Sequence, residues 1–437
     1  MGSLPSPPPS TPPRSPETSL SHNRVYALFC FKEPGPNSNI SNWLDCYNPV
    51  DNTWTHVTPI PGLIENHLLK DFAMISIGES IYIIGGRLCR KDRAPATTES
   101  DEFFEVNQEV LSSVLRYDVN TDQWSKCAPL NTPRGTNHAG KCQESIYIIG
   151  GRLCRKDRAP ATNESDEFFE VNQEVLSSVL RYDVNTDQWS KCAPLNTPRY
   201  DFACTVCNDK VYVAGGQTTL ASARGVSSAE VYDPSLNEWT PLPNMNTLRY
   251  KCVGVTWQGK IHMIGGFVES GNFVGGYVDR SSAEVYDEER GKWDLVPGMW
   301  QLDVPPNQIV AVNGTLLSSG DCLNAWKGHI EAYDGKLNIW YMVEGSQLQI
   351  PSSPTSTSYG GEERWPKIQR RYLTMATIGT HLCLLAGYRN IEESSLSKSR
   401  VHVLDTSATG GTWRCLEPTE EEGEKELCSH CCVVQFP

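Results

Sequence analysis

Short apolar runs that end in paired glycines recur along the chain from Val25 onward. Four of them, IYIIGG twice, VYVAGG and IHMIGG, end at Gly86, Gly151, Gly216 and Gly266. Two weaker versions, LLSSG and LCLLAG, end at Gly320 and Gly387. Runs of about four to six β-branched and aromatic residues predict strands buried on both faces. The glycine pair allows the backbone to turn sharply and to pack closely against its neighbour.

An aromatic pair with a spacing of seven residues accompanies these runs. The pairs are Tyr47/Trp54, Tyr117/Trp124, Tyr182/Trp189, Tyr232/Trp239, Tyr286/Trp293 and Tyr333/Trp340, and near the end Leu404 replaces the tyrosine before Trp413. Segments such as YDVNTDQW and YDPSLNEW place Asp, Asn or Pro at the bend, which predicts a hairpin. One unit is therefore about four antiparallel strands. Because one such sheet cannot bury both of its faces, several must stack around an axis.

The glycine doublet followed by the spaced Tyr and Trp resembles the kelch repeat, which builds β-propellers. The resemblance covers about residues 24–436 and is strongest in the four central repeats. It implies an all-β fold, a kelch β-propeller of the galactose oxidase superfamily. Such propellers commonly close through a terminal strand, so the final apolar run at 430–436 is expected to pair inside the first blade. Seven blades are expected, near 25–58, 70–131, 135–196, 200–244, 250–299, 305–345 and 371–418.

One of these units is present twice. Residues 79–134 recur as residues 144–199, and over these 56 positions only Thr98 against Asn163 differs. So close a copy indicates a recent duplication or an error in assembling the sequence, and with one copy the ring would have six blades. The strand before the second copy, in GTNHAGKCQ, is more polar than its counterpart in KDFAMISIG. We therefore expect the third blade to be the least well packed.

Composition and charge narrow the functional classes. The chain has 437 residues, 39% of them hydrophobic, and a net charge of -14, which argues against nucleic-acid binding. No apolar run reaches the roughly 18 residues that cross a membrane, and no secretory signal is seen, so a cytoplasmic or nuclear location with reduced cysteines is expected.

Residues 1–22 are rich in Pro and Ser and predict a disordered tail before a propeller at 23–437. This tail is too short for the F-box or BTB domain that kelch propellers of ubiquitin ligases usually carry, so the chain is expected to stand alone.

The long segments after the two identical doublets are candidate partner-binding loops. In each, a basic cluster, RLCRKDR, precedes two phenylalanines within an acidic cluster, ESDEFFE. Long loops on a rigid scaffold often carry binding, and exposed Phe beside charge suits a protein contact. The alternative is a solvated loop whose charges partly neutralise one another. The residues are Arg87, Arg90, Lys91, Arg93, Phe103 and Phe104, and in the second copy Arg152, Arg155, Lys156, Arg158, Phe168 and Phe169.

Four arginines form a second candidate site. Each lies sixteen residues before the first position of a doublet or of its degenerate form, namely Arg134, Arg199, Arg249 and Arg370. Propeller geometry predicts that they recur around one mouth of the central channel, where a ring of guanidinium groups could hold an acidic peptide. The alternative is a structural role, in which each arginine ties neighbouring blades together.

Metal or catalytic chemistry has little support in the sequence. Cys204/Cys207 and Cys428/Cys431 have CxxC spacing, but both pairs fall in predicted strands, where residues three apart face opposite sides. The histidines are scattered and do not resemble the copper site of galactose oxidase. No P-loop, dinucleotide fingerprint or Ser-His-Asp arrangement stands out.

The sequence therefore predicts a protein-binding scaffold or adaptor with an unknown protein partner, no catalytic residue, no metal and no cofactor. The alternative is a metal-dependent kelch enzyme, either a nitrile-specifier-like lyase or a galactose-oxidase-like oxidase. Its support is that Glu422, Glu426 and His430 are spaced by four and resemble the iron motif of nitrile-specifier proteins, with Glu in place of the central Asp. The surrounding TEEEGEKE composition favours a solvated acidic loop.

Overall fold

Antiparallel sheets make up the fold. In the computed structural model they include seven sheets of four or five strands, numbered blades 1 to 7 in chain order, among the residues that the structure describes. The described residues are 20–32, 39–63, 66–92, 104–134, 139–142, 145–158, 169–221, 224–269, 282–300, 306, 308–319, 330–344, 368–390, 396–407, 412–416, 419–428 and 430–436.

Blade 1 combines strands from both ends of the chain. Its strands are Asn23–Lys32, Ile40–Asn48, Thr53–Pro59, Glu424–Leu427 and Cys432–Gln435. Both late strands pair with Asn23–Lys32, and Val25 lies opposite Val433. The final apolar run is thus placed inside the first blade, where it covers a sheet edge.

Blades 2 to 7 each follow a simple up-and-down order. Blades 2 and 3 comprise Ala73–Ile77, Ser80–Ile84, Val114–Asp118 and Gln123–Lys126, then Ala139–Cys142, Ser145–Ile149, Val179–Asp183 and Gln188–Cys192. Blades 4 and 5 comprise Ala203–Cys207, Lys210–Ala214, Ala229–Asp233 and Glu238–Leu242, then Val253–Trp257, Lys260–Ile264, Ala283–Asp287 and Lys292–Val296. Blades 6 and 7 comprise Ile309–Val312, Thr315–Ser318, Glu331–Asp334 and Ile339–Met342, then Ile368–Ile378, His381–Asn390, Leu396–Asp405, Thr412–Cys415 and Thr419–Glu422.

Three smaller sheets extend from the loop ends of these blades. One has three strands, His67–Lys70, Arg87–Asp92 and Phe104–Val110. The others are the hairpin Arg152–Arg158 with Phe169–Val175, and the pair Leu248–Tyr250 with Phe267–Glu269. The first and second place the two long candidate loops on regular β-structure.

The outer hairpins form as the Tyr/Trp spacing predicts. Tyr182 lies directly opposite Trp189, with ring centroids 4.9 Å apart, and the same pairing recurs in blades 1 to 6. The Tyr182 hydroxyl donates to Asp187, whose φ of 52° is the left-handed turn conformation that Asp tolerates. The Trp189 indole donates to the backbone oxygen of Ala128 in blade 2 at 2.8 Å. In blades 2 to 6 the outer hairpin therefore also holds the preceding blade.

Side chains between the blades join them into a cycle. Each hydrophobic cluster of the joints combines two successive blades, from blades 1 and 2 through blades 6 and 7. One further cluster joins blade 7 to blade 1 through Val401, Val403, Val25 and Tyr47. Apolar surface that a single sheet would expose is thus covered on both faces.

The acidic segment near the C-terminus differs from its prediction as a solvated loop. Thr419–Glu422 pairs with Leu396–Asp405 of blade 7, and Glu424–Leu427 pairs with Asn23–Lys32 of blade 1. The segment is ordered because both strands cover sheet edges. At the other end, Leu20 is buried against blades 7 and 1, so the folded body begins slightly before residue 23, and residues 1–19 of the predicted tail lie outside the described residues.

Candidate functional site

Three of the four predicted channel arginines lie inside the joints between blades. Arg134, Arg199 and Arg249 are 0–1% exposed. The Arg199 backbone oxygen accepts a hydrogen bond from Gly151 of blade 3 at 3.0 Å. Its guanidinium donates to the backbone oxygens of Gly215 and Ser228 in blade 4, at 2.8 and 2.9 Å.

These contacts correct the expectation of an accessible arginine ring. A guanidinium that is buried within a closed joint and donates to its backbone cannot reach a partner, so the structural alternative describes Arg134, Arg199 and Arg249. The glycine doublets allow the backbone of each of these arginines to pack this closely against a blade. A Cβ at Gly215, for example, would lie 2.5 Å from the Arg249 backbone oxygen. Arg370 is in the strand Ile368–Ile378, and its side chain is outside the described set.

A second set of polar residues lies at the same loop end, and two of its cations, Arg152 and Lys251, are exposed to solvent. We call this set the doublet rim, and it consists of Asp71, Arg87, Arg152, Tyr200, Asp201 and Lys251. Arg87 and Arg152 directly follow the doublets of blades 2 and 3, whereas Asp71, Asp201 and Lys251 precede the innermost strands of blades 2, 4 and 5. These last three have φ of 51–54°, so tight left-handed turns hold their side chains at the end of each blade.

Contacts across the blades connect the doublet rim. The Arg87 Nε donates to Asp71 Oδ2 at 2.5 Å, and Arg152 Nη2 lies 3.6 Å from the same oxygen. The Arg152 guanidinium lies over the Tyr200 ring, 5.8 Å from its centroid. Burial raises the pKa of the neighbouring carboxyl, Asp201, which is 3.9 Å from Lys251 Nζ.

Arg87 and Arg152 occupy equivalent positions in the two copies but differ in the exposed fraction of their side chains. The Arg87 side chain is 14% exposed, whereas that of Arg152 is 37% exposed and that of Lys251 is 52% exposed. Arg87 faces Asp71 of its own blade, but Arg152 shares that carboxylate from a distance. Arg152 and Lys251 therefore present cations that a partner's carboxylate or carbonyl oxygen can approach.

The predicted basic and aromatic residues lie beside this rim on the two hairpins. The backbones of Arg90, Lys91, Phe104, Arg155, Lys156, Arg158 and Phe169 are in described strands, but their side chains are not described. Arg93, Phe103 and Phe168 lie outside the described residues. Lys91 is opposite Glu105 in the first copy, whereas Lys156 is opposite Val171 in the second.

A cavity of about 650 Å³ lies at the opposite end of blades 5 and 6. Its lining includes Trp257, His262, Tyr333, Asp334 and Tyr341. The Trp257 indole donates to the Gly314 backbone oxygen at 2.7 Å, and burial lowers the pKa of His262 to about 4. At neutral pH the imidazole in the cavity wall is therefore neutral, and the wall combines aromatic side chains with the polar side chains of Asp334 and Lys336.

The candidate iron motif is only partly described, because the side chain of Glu422 lies outside the described set. Within the described ranges, no group of three or more His, Cys, Asp or Glu side chains is placed to hold a metal ion. Glu422 and Glu426 lie on strands of different blades, and His430 lies in the connection that follows.

The two CxxC pairs differ from each other in their setting. Cys204 and Cys207 are in one strand, as predicted, but Cys428 and Cys431 lie between strands, which corrects the strand prediction for that pair. Burial raises the pKa of the Cys204 thiol to about 12 and that of Cys431 to about 11, which disfavours the thiolates that bind zinc.

Sequence reasoning did not single out the acidic, aromatic and lysine members of the rim. A usable signal is present, because Asp71, Asp201 and Lys251 each lie fourteen residues before the first glycine of a doublet. The offset of sixteen residues, on which the prediction was based, identifies the buried arginines and not the members of the rim.

Comparisons with known proteins agree on the repeat. The model of the kelch motif matches residues 198–246. Kelch-like protein 26 of Danio rerio is 27% identical over 173 residues, covering 40% of this chain and 23% of that protein. Kelch repeat and BTB domain-containing protein 12 of Homo sapiens is 26% identical over 155 residues, covering 35% and 21%. F-box/kelch-repeat protein At1g16250 of Arabidopsis thaliana is 34% identical over 136 residues, covering 29% and 32%.

The matched region is a limited part of these relatives. The chain spans about a quarter of the length of the curated relatives it matches. Among solved structures, the chain is similar to one titled "Structure of YjhT", at 13% identity and a TM-score of 0.48, covering 82% of this chain and 99% of that one. In the described part of the chain, no helix is long and apolar enough to span a bilayer.

Proposed function

We propose that this chain, a kelch-repeat β-propeller, is a protein-binding module, and that the doublet rim with its two hairpins is the binding surface. The observation that carries the proposal is the pair of exposed cations, Arg152 and Lys251, beside Tyr200 on backbone turns held by the doublets. A guanidinium against an aromatic ring is partly pre-ordered, so it loses little freedom when it binds an oxygen of a partner.

The relatives support an adaptor role. Two of them have names that combine kelch repeats with a BTB or an F-box domain. By analogy, we infer that this propeller supplies recognition as a scaffold or substrate adaptor and is not itself an enzyme. We place it in the cytoplasm or nucleus.

Affinity capture with matched variants tests the binding surface. Arg152→Glu and Lys251→Glu each reverse an exposed rim charge, and Lys126→Glu reverses an exposed charge on the outer strand of blade 2 as a control. We expect proteins recovered with the wild type and with Lys126→Glu to be lost with both rim variants at unchanged melting temperature. Equal recovery with all four proteins would show that the rim does not bind them.

Metal content of the purified protein separates this proposal from the enzyme alternative. The scaffold role requires no bound metal, whereas a lyase or oxidase of the kinds considered requires iron or copper. Stoichiometric iron or copper in protein purified without chelators would contradict the scaffold proposal.

A further inference from the structure

The joint between blades 5 and 6 differs from the three joints before it in how its aromatic rings meet. In those joints a tyrosine of one blade contacts a tyrosine of the next, in the pairs Tyr82/Tyr182, Tyr147/Tyr232 and Tyr212/Tyr286. Blade 5 has His262 at the first of these positions. The tyrosine of blade 6, Tyr333, instead contacts Trp257, at 5.6 Å between ring centroids. Because an imidazole is shorter than a phenol side chain, the joint keeps the cavity of about 650 Å³, with His262 and Tyr333 both in its wall.

Hydrogen bonds and a close backbone contact hold the aromatic walls of this cavity in place. The Trp257 indole donates to the Gly314 backbone oxygen at 2.7 Å, and the Tyr333 hydroxyl donates to Asn338 Oδ1 at 2.7 Å. A Cβ at Gly335 would lie 2.8 Å from the indole ring, so a glycine lets the turn of blade 6 close against it. Side chains that are already fixed lose little freedom when a ligand binds between the blades.

His262 supplies the cavity with a hydrogen-bond acceptor. The residue is 5% exposed, and its Nδ1 donates to the Lys260 backbone oxygen at 3.1 Å. In the neutral ring this leaves the lone pair on Nε2. Among the described residues no group donates to Nε2, and this nitrogen is not closed off by the protein. Because an acceptor in so buried a ring is costly to leave unpaired, a ligand that donates to it is favoured.

The charged side chains of the cavity wall favour a neutral ligand. Asp334 and Lys336 carry opposite charges and belong to one turn of blade 6. Asp334 Oδ1 already accepts the backbone amides of Lys336 and Leu337, at 2.8 and 3.1 Å. Gln258 and Thr315 add uncharged polar groups to the wall. An ion would therefore be attracted by one charge and repelled by the other, whereas a neutral aromatic ring can pack against the aromatic walls.

We propose that the cavity between blades 5 and 6 binds a small neutral aromatic molecule with a phenolic hydroxyl, which donates to His262 Nε2. The ring of this ligand packs beside Trp257 and Tyr333. A phenol is selected because the three preceding joints hold one at this place and because the imidazole requires a donor. The cavity volume is within the range of small-molecule sites. The site lies at the end of the blades opposite the doublet rim, so it does not depend on the binding surface proposed there.

Two matched probes, 2-naphthol and 2-methoxynaphthalene, test the proposal at neutral pH. They share one ring system, but the methoxy compound has no donor for His262. In ligand-observed NMR titrations we expect 2-naphthol to bind with a Kd on the order of 100 μM and 2-methoxynaphthalene at least about tenfold more weakly. Equal affinities for the two compounds, or no binding of 2-naphthol at about 2 mM, would overturn the proposal.

Three variants locate the site. His262→Tyr restores the residue that blades 2 to 4 have and fills the cavity, so it should fold and should no longer bind 2-naphthol. His262→Leu removes the acceptor, so the two compounds should bind with equal, weak affinity. Lys251→Glu alters the doublet rim and should bind 2-naphthol as the wild type does. Undiminished binding by His262→Tyr, discrimination between the compounds by His262→Leu, or loss of binding in Lys251→Glu would each contradict the assigned site.

Discussion

His262 shows how one residue changes the joint that it occupies. Blades 2, 3 and 4 have Tyr82, Tyr147 and Tyr212 at this position, and each packs against a tyrosine of the next blade. His262 is 5% exposed and instead lies against Trp257, at 5.3 Å between ring centroids. Its Nδ1 is 3.1 Å from the Lys260 backbone oxygen, so the neutral ring donates there.

This buried imidazole predicts loss of stability in mild acid. Its pKa is about 4 in the folded protein against about 6.5 in an unfolded chain. Between these values the unfolded state binds more protons, so the free energy of unfolding decreases as pH falls from about 6.5 to 4. His262→Tyr should reduce the decrease between pH 6.5 and 4.5 by about 2 kcal/mol, measured by urea denaturation.

His402 provides the comparison for that measurement. Burial also lowers its pKa to about 4, so part of the acid sensitivity should remain in His262→Tyr. If the pH dependence of His262→Tyr equals that of the wild type, His262 is not a source of the effect.

Among the strands, Glu424–Leu427 has the most unusual interior contact. Lys425 is 1% exposed, and its Nζ lies 2.5 Å from Asp45 Oδ2. The same ammonium is 4.2 Å from the Phe29 ring centroid and 4.8 Å from that of Trp54. A cation held over two aromatic faces and against a carboxylate fixes this late strand onto the first one.

We predict strong coupling between the two ends of the chain through this pair. Lys425→Met keeps the length of the side chain but leaves Asp45 buried without its cation, which should cost about 3–5 kcal/mol. Asp45→Asn in the same background should recover part of the loss, so a double-mutant cycle in urea should give at least about 1.5 kcal/mol. Additive effects would mean that the pair does not hold the strand.

In the whole molecule, the joints that involve the two copies differ from the later joints in the residues that meet there. Arg199 Nη2 lies 2.8 Å from Glu230, and Arg249 Nη2 lies 3.8 Å from Glu284, so the arginines before blades 4 and 5 each face a buried acid. The four side chains are at most 2% exposed. Here the burial of a cation is compensated by an anion.

Blades 2 and 3 do not repeat this pairing. In blade 2 the equivalent positions are Leu69 and Leu115, which share one apolar cluster. In blade 3 the equivalent positions are Arg134 and Leu180. Arg134 is the last residue of the first copy, and the second copy that follows it has leucine at position 180, where blade 4 has Glu230. Burial lowers the pKa of Arg134 to about 10, and its Nε has no hydrogen-bond partner.

Substitutions at Leu180 and Leu115, which are equivalent positions of the two copies, test whether Arg134 lacks an acidic partner. Leu180→Glu supplies the acid that Arg134 lacks, whereas Leu115→Glu buries an acid beside Leu69. Both lose an apolar side chain, so the difference between them isolates the ion pair. We expect Leu180→Glu to be more stable than Leu115→Glu by about 2 kcal/mol or more in thermal denaturation. Equal destabilisation would show that Arg134 is satisfied without an acid.

The repeat unit and its antiparallel strands were accessible from sequence. The glycine doublets and the Tyr/Trp spacing act through neighbours a few residues away, so local patterns specify the hairpins and the turns. The family resemblance then supplied the arrangement of the units into a propeller. The structure places Tyr182 opposite Trp189, as the spacing predicts, and the final strand inside blade 1, as the family resemblance implies.

The exposure of side chains and the contacts between blades depend on the tertiary structure. The offset of sixteen located the arginines correctly along the chain, but only packing of the next blade buries Arg199 and leaves Arg152 partly open. The two hairpins share their register over the first three pairs but diverge beyond a bulge at Cys89/Arg90, so Lys91 lies opposite Glu105 and Lys156 opposite Val171. The strand His67–Lys70 pairs with the first hairpin, and the second has no such partner among the described residues. Two nearly identical segments therefore differ because burial and register depend on residues that are distant in sequence.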